Sequence, residues 1–317
     1  MRISVGAGTY VVAVSGGVDS MVLLDLLRQR PGMRLIVAHY DHGIRPDSAE
    51  DRKLVQKTAQ AHELPFVHEA GKLGAGTSEA RARKARYAFL ERVRSASEAR
   101  AIITAHHQDD MLETAIFNLL RGSGRRGLVA LKSTDDIVRP LLEYDKEQIL
   151  DYARSHSLQW REDPTNADIK YTRNYIRSRI LPKFTPGQRA ELLILLERLS
   201  AINDELDVHL SGLLHIQPAL NEIDRAWFIH LPHDISREVV HEWLRRHKIR
   251  DITKKTIERL VVAMKTGRGG QRVDIDDKHV LEIRRDSLTI VPRDTKPAAR
   301  KKAALFVRTD GRLTRKK

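Results

Sequence analysis

Short β-branched apolar runs alternate with longer segments of helical period through the first 184 residues. The strand-like runs lie at 10–14, 35–39, 66–68, 101–105 and 137–139, and the helical stretches at 20–30, 49–63, 78–97, 109–120 and 145–156. Such alternation predicts an α/β fold with a mostly parallel, doubly wound sheet and helices on both faces. Ligands of such sheets bind beyond the carboxyl ends of the strands.

The pattern changes after residue 184. Pro186-Gly187 precedes a leucine-rich stretch of helical period, which predicts a packing or linker helix. The elements predicted beyond it are helices over 236–247 and 253–265 and strands over 271–275, 280–283 and 288–291. We therefore predict a catalytic domain over 1–184, a helical linker over 185–217 and a small α+β domain over 218–317. Its basic end, from residue 296, is typical of a mobile tail, and an arm that holds nucleic acid is the second interpretation.

A serine- and glycine-rich turn follows the first predicted strand. Strand, glycine turn and helix start direct backbone N–H groups and the positive end of a helix dipole at one point, which suits a phosphate. Gly16 and Gly17 let the backbone approach an anion closely, and Asp19 could cap the helix or orient a magnesium ion. An ordinary βα turn is the alternative. The residues of this candidate nucleotide site are Ser15, Gly16, Gly17, Val18, Asp19 and Ser20.

A second polar segment, HYDHGIR at 39–45, follows the second predicted strand. Asp41 is predicted to lie at a strand tip that faces the ligand crevice, where a carboxylate can hold an ammonium group or take up a proton. The spacing of His39 and His42 also suits a metal, but histidines at strand ends hydrogen-bond the backbone more often. We therefore predict a role for Asp41 rather than a metal site.

The segment TAHHQDDMLET at 104–114 is dense in ligating side chains. His106, Asp110 and Glu113 are predicted to share one helix face, which can bind a metal or simply cap and solvate the helix start. Acids in a first helical turn are also ordinary partners of the helix dipole. Beside a triphosphate, however, an aspartate pair suits magnesium, so Asp109 or Asp110 is a candidate ligand.

Three basic segments have two interpretations each. The loop 121–127 contains GxGxxG but follows a helical segment, so it lacks the context of a dinucleotide fingerprint. It is either a structural turn or a charged loop in which Arg121 meets developing negative charge. The cations over 81–87 form either a solvated helix face or a contact with a tRNA backbone. The helix that carries Arg173 and Arg177 either closes the domain or contributes to the site.

Composition and charge narrow the class of protein. The chain has 317 residues, a net charge of +14 and an isoelectric point near 10.0, which implies a polyanionic partner. It contains no cysteine, which excludes disulfides, thiolate zinc sites, thiolate nucleophiles and iron–sulfur clusters. No apolar stretch is long enough to span a bilayer, and the N-terminal segment lacks the apolar core of a signal peptide. We expect a cytoplasmic protein.

Seven motifs occur in a characteristic order between residues 10 and 182. They are SGGVDS, HYDHGIR, ARKARYAFL, TAHHQDDMLET, NLLRGSGRRGL, RPLL and EDPTNADIKYTRNYIRSRILP. The first motif resembles the pyrophosphate loop of the PP-loop ATP pyrophosphatases, which split ATP between its α and β phosphates. The ordered set resembles the tRNA(Ile)-lysidine synthetases of that superfamily. The segment 218–293 is similar, less distinctly, to the C-terminal tRNA-binding region of that family.

The resemblance implies an adenine nucleotide alpha hydrolase-like fold and a two-step ligation. ATP adenylates the C2 oxygen of cytidine 34 in the CAU anticodon of tRNA(Ile), and pyrophosphate leaves. The ε-amine of L-lysine then displaces AMP to form lysidine, which switches codon specificity from AUG to AUA. ATP, Mg²⁺, tRNA(Ile) and L-lysine are thus the expected ligands, no membrane is expected as a partner, and a homodimer stays open. The target base is expected to leave its stack to reach the site.

The resemblance also implies roles for particular residues. The loop 15–20 would bind the phosphates, and Asp109 would bind magnesium. Asp41 or Asp110 would position or deprotonate the lysine amine. Arg121 would stabilise the leaving pyrophosphate, and Arg173 and Asn174 would contact the nucleotide or lysine.

Three other functions compete with this one. A tRNA thiolase on the same fold ordinarily uses cysteine persulfides or a cluster, and this chain has no cysteine. A glutamine-fed amide ligase needs an ammonia-generating partner and does not need so basic a chain. A tRNA-binding protein with an inactive nucleotide site is the third alternative, and the intact SGGVDS and TAHHQDD segments argue against it.

Overall fold

The computed structural model describes residues 1–43, 48–71, 77–162, 172–217, 219–249 and 252–295, and the backbone of 306–309 and 312–315. The chain forms two compact units, Met1–Asn203 and Asp204–Lys317. The boundary between them falls inside a long helix, within the segment 185–217 that we assign to a linker. The three-part division of the chain stays a prediction.

The first unit is built on a five-stranded parallel sheet, as predicted. Its strands are β1 (Gly8–Ala13), β2 (Met33–Asp41), β3 (Phe66–Ala70), β4 (Ala101–Ile103) and β5 (Ile137–Val138). They lie in the order β3-β2-β1-β4-β5, so the chain builds outward from β1 in one direction and then continues from β4 in the other. This reversal creates a crevice beyond the carboxyl ends of β1 and β4, where α/β proteins bind their ligands.

Helices follow these strands along the chain, and the longest of them continues into the second unit. They are α1 (Val18–Arg28), α2 (Ser48–Ala61), α3 (Glu79–Ala96), α4 (Gln108–Leu120), α5 (Arg125–Leu128), α6 (Lys146–Ser155), α7 (Thr172–Tyr175) and α8 (Pro186–His215). The predicted strands and helices are confirmed to within a few residues at their ends. The main core forms because β-branched residues of the sheet, such as Val12 and Val37, pack against the apolar face of α1, where Val22 and Leu27 are fully buried.

The second unit has its own hydrophobic core and an antiparallel sheet. Its elements are β6 (Glu222–Asp224), α9 (Arg225–Ile229), α10 (His233–Arg246), α11 (Lys254–Thr266), β7 (Arg272–Asp274), β8 (His279–Ile283) and β9 (Ser287–Pro292), with strand order β6-β9-β8-β7. The sequence pattern missed β6 and α9, which are too short to show a period. The core includes Phe228, Trp243 and Val261.

The basic end of the chain contains regular backbone structure that we did not predict. Strands β10 (Phe306–Thr309) and β11 (Arg312–Arg315) pair antiparallel. Both interpretations of this end, a mobile tail and an arm that holds nucleic acid, stay predictions, because the pairing of two strands tests neither of them. The sequence signal that we missed is the Asp310-Gly311 dipeptide between two alternating runs, which is typical of a β-hairpin turn.

Replacement of Trp243 by alanine is expected to lower the free energy of unfolding by about 3–5 kcal/mol. Trp243 is 2% exposed, and its indole N–H donates to the Leu220 carbonyl at 3.0 Å, so the substitution leaves both a cavity and an unpaired acceptor. Urea unfolding followed by far-UV circular dichroism measures the change. The control is Val262→Ala, at a half-exposed position of the same unit, with an expected loss within about 0.5 kcal/mol. Equal losses in the two variants would contradict this account.

Candidate active site

The turn between β1 and α1 is organised around the hydroxyl group of Ser20. This hydroxyl accepts hydrogen bonds from the N–H groups of Ser15 and Gly16, each at 3.2 Å, and donates to the Gly17 carbonyl at 2.8 Å. Gly16 has φ of +96°, a left-handed conformation that favours glycine. The Ser20 hydroxyl therefore shapes the turn, and the turn leads directly into the N-terminal end of α1, whose positive dipole end suits phosphate oxygens.

Asp19 brings three elements of the first unit together. Its Oδ1 lies 2.5 Å from Nζ of Lys146, the first residue of α6, and 3.8 Å from Nε2 of His107, which precedes α4. The same Nε2 lies 3.5 Å from Oδ2 of Asp110. Asp19 and Asp110, two residues singled out from sequence, thus flank one buried imidazole at the predicted crevice.

The structure corrects the predicted face of α4. Because the helix begins at Gln108, His106 lies before it, and His107 is the histidine beside Asp110. Asp110 also accepts a hydrogen bond from the His107 backbone N–H at 3.0 Å, so it caps the start of the helix, as one of the two interpretations proposed. Its other carboxylate oxygen lies 3.5 Å from Nη2 of Arg177.

Glu113 is the most enclosed acid of the site. Its side chain is 3% exposed, and its two oxygens contact Nη1 of Arg173 at 3.0 Å and Nη2 of Arg177 at 2.7 Å. Burial raises the pKa of Glu113, and the positive charges of Arg177 and Arg173 oppose that shift. The helix that carries the two arginines therefore contacts the site.

From sequence, Glu113 was named only as part of a helix face that can bind a metal or cap the helix, and it was assigned no catalytic or binding role of its own. Its spacing of three residues from Asp110 was the available signal, since it places both acids on one side of α4. Asn174 adjoins Arg173 on α7, and its backbone carbonyl accepts a hydrogen bond from the Ser178 hydroxyl at 2.7 Å.

A positively charged pocket surrounds His106 after the end of β4. Burial, followed by the charges of Arg139, Arg86 and Arg83, lowers the pKa of His106 to about 2, so its imidazole is neutral at physiological pH. Its Nδ1 lies 2.9 Å from the Thr104 hydroxyl. A site with several cations, few acids and a neutral imidazole is suited to binding an anionic ligand.

Two arginines of this pocket carry buried donors. The Nε atoms of Arg86 and Arg139 are buried and lack a hydrogen-bond partner within the described ranges. Burial also lowers the pKa of each guanidinium group. The expectation of a merely solvated face over 81–87 is therefore wrong for Arg86, whose position on α3 turns it into the pocket. Periodicity gave no signal for this, because the partner charges come from distant segments.

Asp41 ends β2 and contacts Gly43 and Ser48, the nearest described residues on either side of 44–47. Its two oxygens accept hydrogen bonds from the Gly43 N–H at 2.8 Å and the Ser48 hydroxyl at 3.0 Å. The neighbouring His39 is buried, and its Nδ1–H donates to the Val14 carbonyl at 2.9 Å, as expected for a histidine at a strand end. Burial lowers the pKa of His39. The catalytic role of Asp41 stays a prediction.

Asp109 and Arg121 contact other parts of the first unit. Oδ1 of Asp109 lies 3.2 Å from Nη1 of Arg189 on α8. Arg121 ends α4, with its guanidinium 5.2 Å from the centre of the Phe117 ring. It is thus roughly 16 Å along the helix axis from Asp110, at 1.5 Å per residue. Among the described residues, no group of three or more histidines and acids is placed to hold a metal ion.

A glycine turn that opens a helix, placed at the reversal of a parallel sheet, is typical of a phosphate-binding α/β domain of the nucleotide-binding class. Residues 3–184 match the family model of the PP-loop domain. This match covers more than half of the chain, and the chain belongs to the PP-loop family.

Two curated relatives with similar sequences are both described as tRNA(Ile)-lysidine synthases. The chain is 42% identical over 176 residues to a tRNA(Ile)-lysidine synthase of Exiguobacterium sibiricum, covering 54% of this chain and 42% of that protein. It is 29% identical over 305 residues to one of Francisella tularensis subsp. novicida, covering 88% and 73%. The match thus spans less than half the length of the Exiguobacterium protein.

A solved structure with a similar fold is the U34-tRNA thiolase NcsA from Methanococcus maripaludis. The TM-score is 0.51 at 20% identity, and the match covers 62% of this chain and 73% of that chain. At this level of identity the likeness establishes the fold alone. It supports the α/β architecture that the sequence pattern predicts.

Proposed function

We propose that the protein is a tRNA(Ile)-lysidine synthase, which joins the ε-amine of L-lysine to C2 of cytidine 34 in the CAU anticodon at the expense of ATP. The observation that carries this proposal is the phosphate turn around Ser20, which faces the carboxylates of Asp110 and Glu113 across one crevice. The similarity to curated lysidine synthases and the net charge of +14 also support it.

In the first step of this proposal, the cytidine C2 oxygen attacks the α phosphate, and the bond from the α phosphorus to the bridging oxygen breaks. The glycine turn and the N-terminal end of α1 hold phosphate oxygens. Arg86 and Arg139 supply the buried N–H donors that attract the adenylate, while the neutral His106 offers hydrogen bonds without adding charge. Mg²⁺ would enter with the triphosphate, and Asp19 is the carboxylate within the phosphate turn.

The residue assignments for magnesium differ in how well they fit. Asp109 stays our prediction from sequence, but its contact with Arg189 is a competing use of that carboxylate. Asp19 lies in the phosphate turn itself, although it is paired with Lys146. Both acids would bind the hard cation through oxygen, which is the ligand that Mg²⁺ prefers.

In the second step, the lysine amine attacks C2 and AMP leaves. A free lysine amine has a pKa near 10.4, so it must lose a proton before it attacks. Asp110 is suited to hold the ammonium group, because its contact with Arg177 is longer, at 3.5 Å, than the 2.7 Å contact of Glu113 with the same arginine. Arg173 and Arg177, held by Glu113, would then face the departing AMP.

One assay tests the function directly. The protein is incubated with ATP, radiolabelled lysine and an unmodified CAU-anticodon tRNA, and label is sought in the nucleic acid. We expect label that depends on ATP, and pyrophosphate release that depends on the tRNA. A thiolase or an amide ligase would leave the tRNA unlabelled by lysine, as would a tRNA-binding protein with an inactive site.

Replacement of Asp41 by asparagine is expected to spare adenylation and to slow lysine transfer by about tenfold or more, if the carboxylate assists the amine. Asparagine keeps a side-chain oxygen that can accept from the Gly43 N–H, so this hydrogen bond should be retained. Tritiated lysine incorporation and pyrophosphate release measure the two steps separately. Equal losses in both steps would reject this role.

One further proposal concerns the setting of the reaction. We infer that the protein acts in the cytoplasm. The oligomeric state stays open, and light scattering would distinguish a chain of 36.2 kDa from a homodimer of twice that mass. No described helix has both the length and the apolar character needed to cross a membrane.

A further inference from the structure

Helices α1 and α6 lie side by side and run in the same direction. Two contacts join them: Nζ of Lys146 to Oδ1 of Asp19 at 2.5 Å, and the Tyr152 hydroxyl to Oδ2 of Asp25 at 2.8 Å. Each pair of contact positions is separated by six residues on its own helix, and both numbers rise together, so the helices are parallel. Their N-terminal ends are therefore level with each other, and both face the phosphate turn.

The second contact holds α6 rigidly in this register. Asp25 is 5% exposed, and its carboxylate also accepts hydrogen bonds from the side chains of Arg28 and Gln29. A capping box between Asp145 and Gln148 fixes the first turn of α6. The position of Lys146 beside the turn is therefore set by buried contacts more than one helical turn away from it.

The phosphate turn has no cation of its own. The segment SGGVDS contains neither lysine nor arginine, whereas the Walker A loop carries a lysine that binds phosphates. Lys146 is a cation in direct contact with this turn, and its side chain is 37% exposed, so its ammonium group is accessible from the crevice. Arg121, which the sequence resemblance assigns to the leaving pyrophosphate, lies at the far end of α4.

We propose that Lys146 binds the leaving pyrophosphate. The ammonium group, held by Asp19 in the free protein, contacts β-phosphate oxygens when ATP is bound. As the new bond from the cytidine C2 oxygen to the α phosphorus forms, the electron pair of the breaking bond stays on the bridging oxygen of pyrophosphate. Lys146 offsets that charge and transfers no proton. A lysine suits this role because it binds phosphate as a compact point charge.

This inference rests on the proposed cleavage of ATP between its α and β phosphates, and it concerns only the first step. Lys146→Met is expected to slow tRNA-dependent exchange of labelled pyrophosphate into ATP, measured without lysine, by about 100-fold. The inhibition constant of inorganic pyrophosphate should rise by about tenfold or more, while that of AMP stays unchanged. Lys146→Arg keeps the charge and should retain exchange within about tenfold of the unmodified protein.

A matched control separates this role from a general loss of positive charge. Lys53→Met removes an exposed cation that pairs with Glu50 on α2, and it should leave the inhibition constant of pyrophosphate unchanged. The inference is overturned if Lys146→Met binds pyrophosphate normally, if AMP and pyrophosphate weaken in parallel, or if Lys53→Met reproduces the loss. Lysine labelling of tRNA by the unmodified protein tests the proposed function separately from this series.

Discussion

Replacement of Glu113 by glutamine is expected to reduce lysine incorporation into tRNA by more than about 100-fold. The carboxylate is buried between two guanidinium groups, and glutamine keeps its shape but not its charge. Arg173 and Arg177 would then repel each other without a common partner, which is costly in a buried site. Because Glu113 is the carboxylate that both arginines share on α4, their position in the crevice would be weakened.

The matched control is Glu79→Gln. Glu79 also contacts Arg173, at 2.9 Å from its Nε, but its side chain is 56% exposed. Solvent screens this pair, so we expect incorporation within about threefold of the unmodified protein. Labelled lysine in tRNA measures both variants, and urea unfolding reports whether each is folded. Similar losses in the two variants, or activity retained in Glu113→Gln, would show that the buried carboxylate has no special function.

Replacement of Arg86 by methionine is expected to slow ATP-dependent adenylation by about 10²–10³-fold, the usual effect of removing one positioned donor from a developing anion. In the free protein, its buried Nε has no hydrogen-bond partner among the described residues, and burial lowers the pKa of the group. A buried donor without a partner costs free energy, and a bound anion would supply the missing hydrogen-bond acceptor. Methionine keeps most of the apolar stem, so the resistance to unfolding should be unchanged or higher.

Arg81→Met serves as the comparison, because Arg81 is an exposed cation near the start of the same helix. It should leave adenylation within about twofold. Pyrophosphate release is measured at saturating tRNA, and urea unfolding is measured on the same preparations. A loss of stability in Arg86→Met with adenylation preserved would assign this arginine to the fold instead of the site.

Particular residues show where sequence reasoning succeeded. The β-branched run around Val12, the glycine turn and the apolar period of α1 are local signals, and they correctly predicted the strand, the turn and the helix that the structure contains. The ordered motifs likewise indicate the PP-loop family, and the match over residues 3–184 confirms it. Local signals work here because strand and helix periods arise from the backbone itself.

Other residues show which features of the site could not be predicted from the sequence. Arg86 and Arg139 are 53 positions apart in sequence, and nothing local indicates that both lie near His106. The choice between His106 and His107 beside Asp110 depended on where α4 begins, and a helix start is uncertain by one or two residues in any sequence pattern. The partnership of Lys146 with Asp19 required the parallel packing of two helices.

The amino-acid sequence alone was enough to establish the alternating α/β architecture, the phosphate turn, the basic character of the chain and the family to which it belongs. These properties follow from short-range periodicity, from contiguous motifs and from composition. None of these depends on how distant segments pack together. Only the tertiary structure decided which charges face one another across the crevice: Glu113 with two arginines, His106 among cations, and Lys146 at the phosphate turn. Electrostatic partnership depends on distance and burial, and both are created when remote segments pack together.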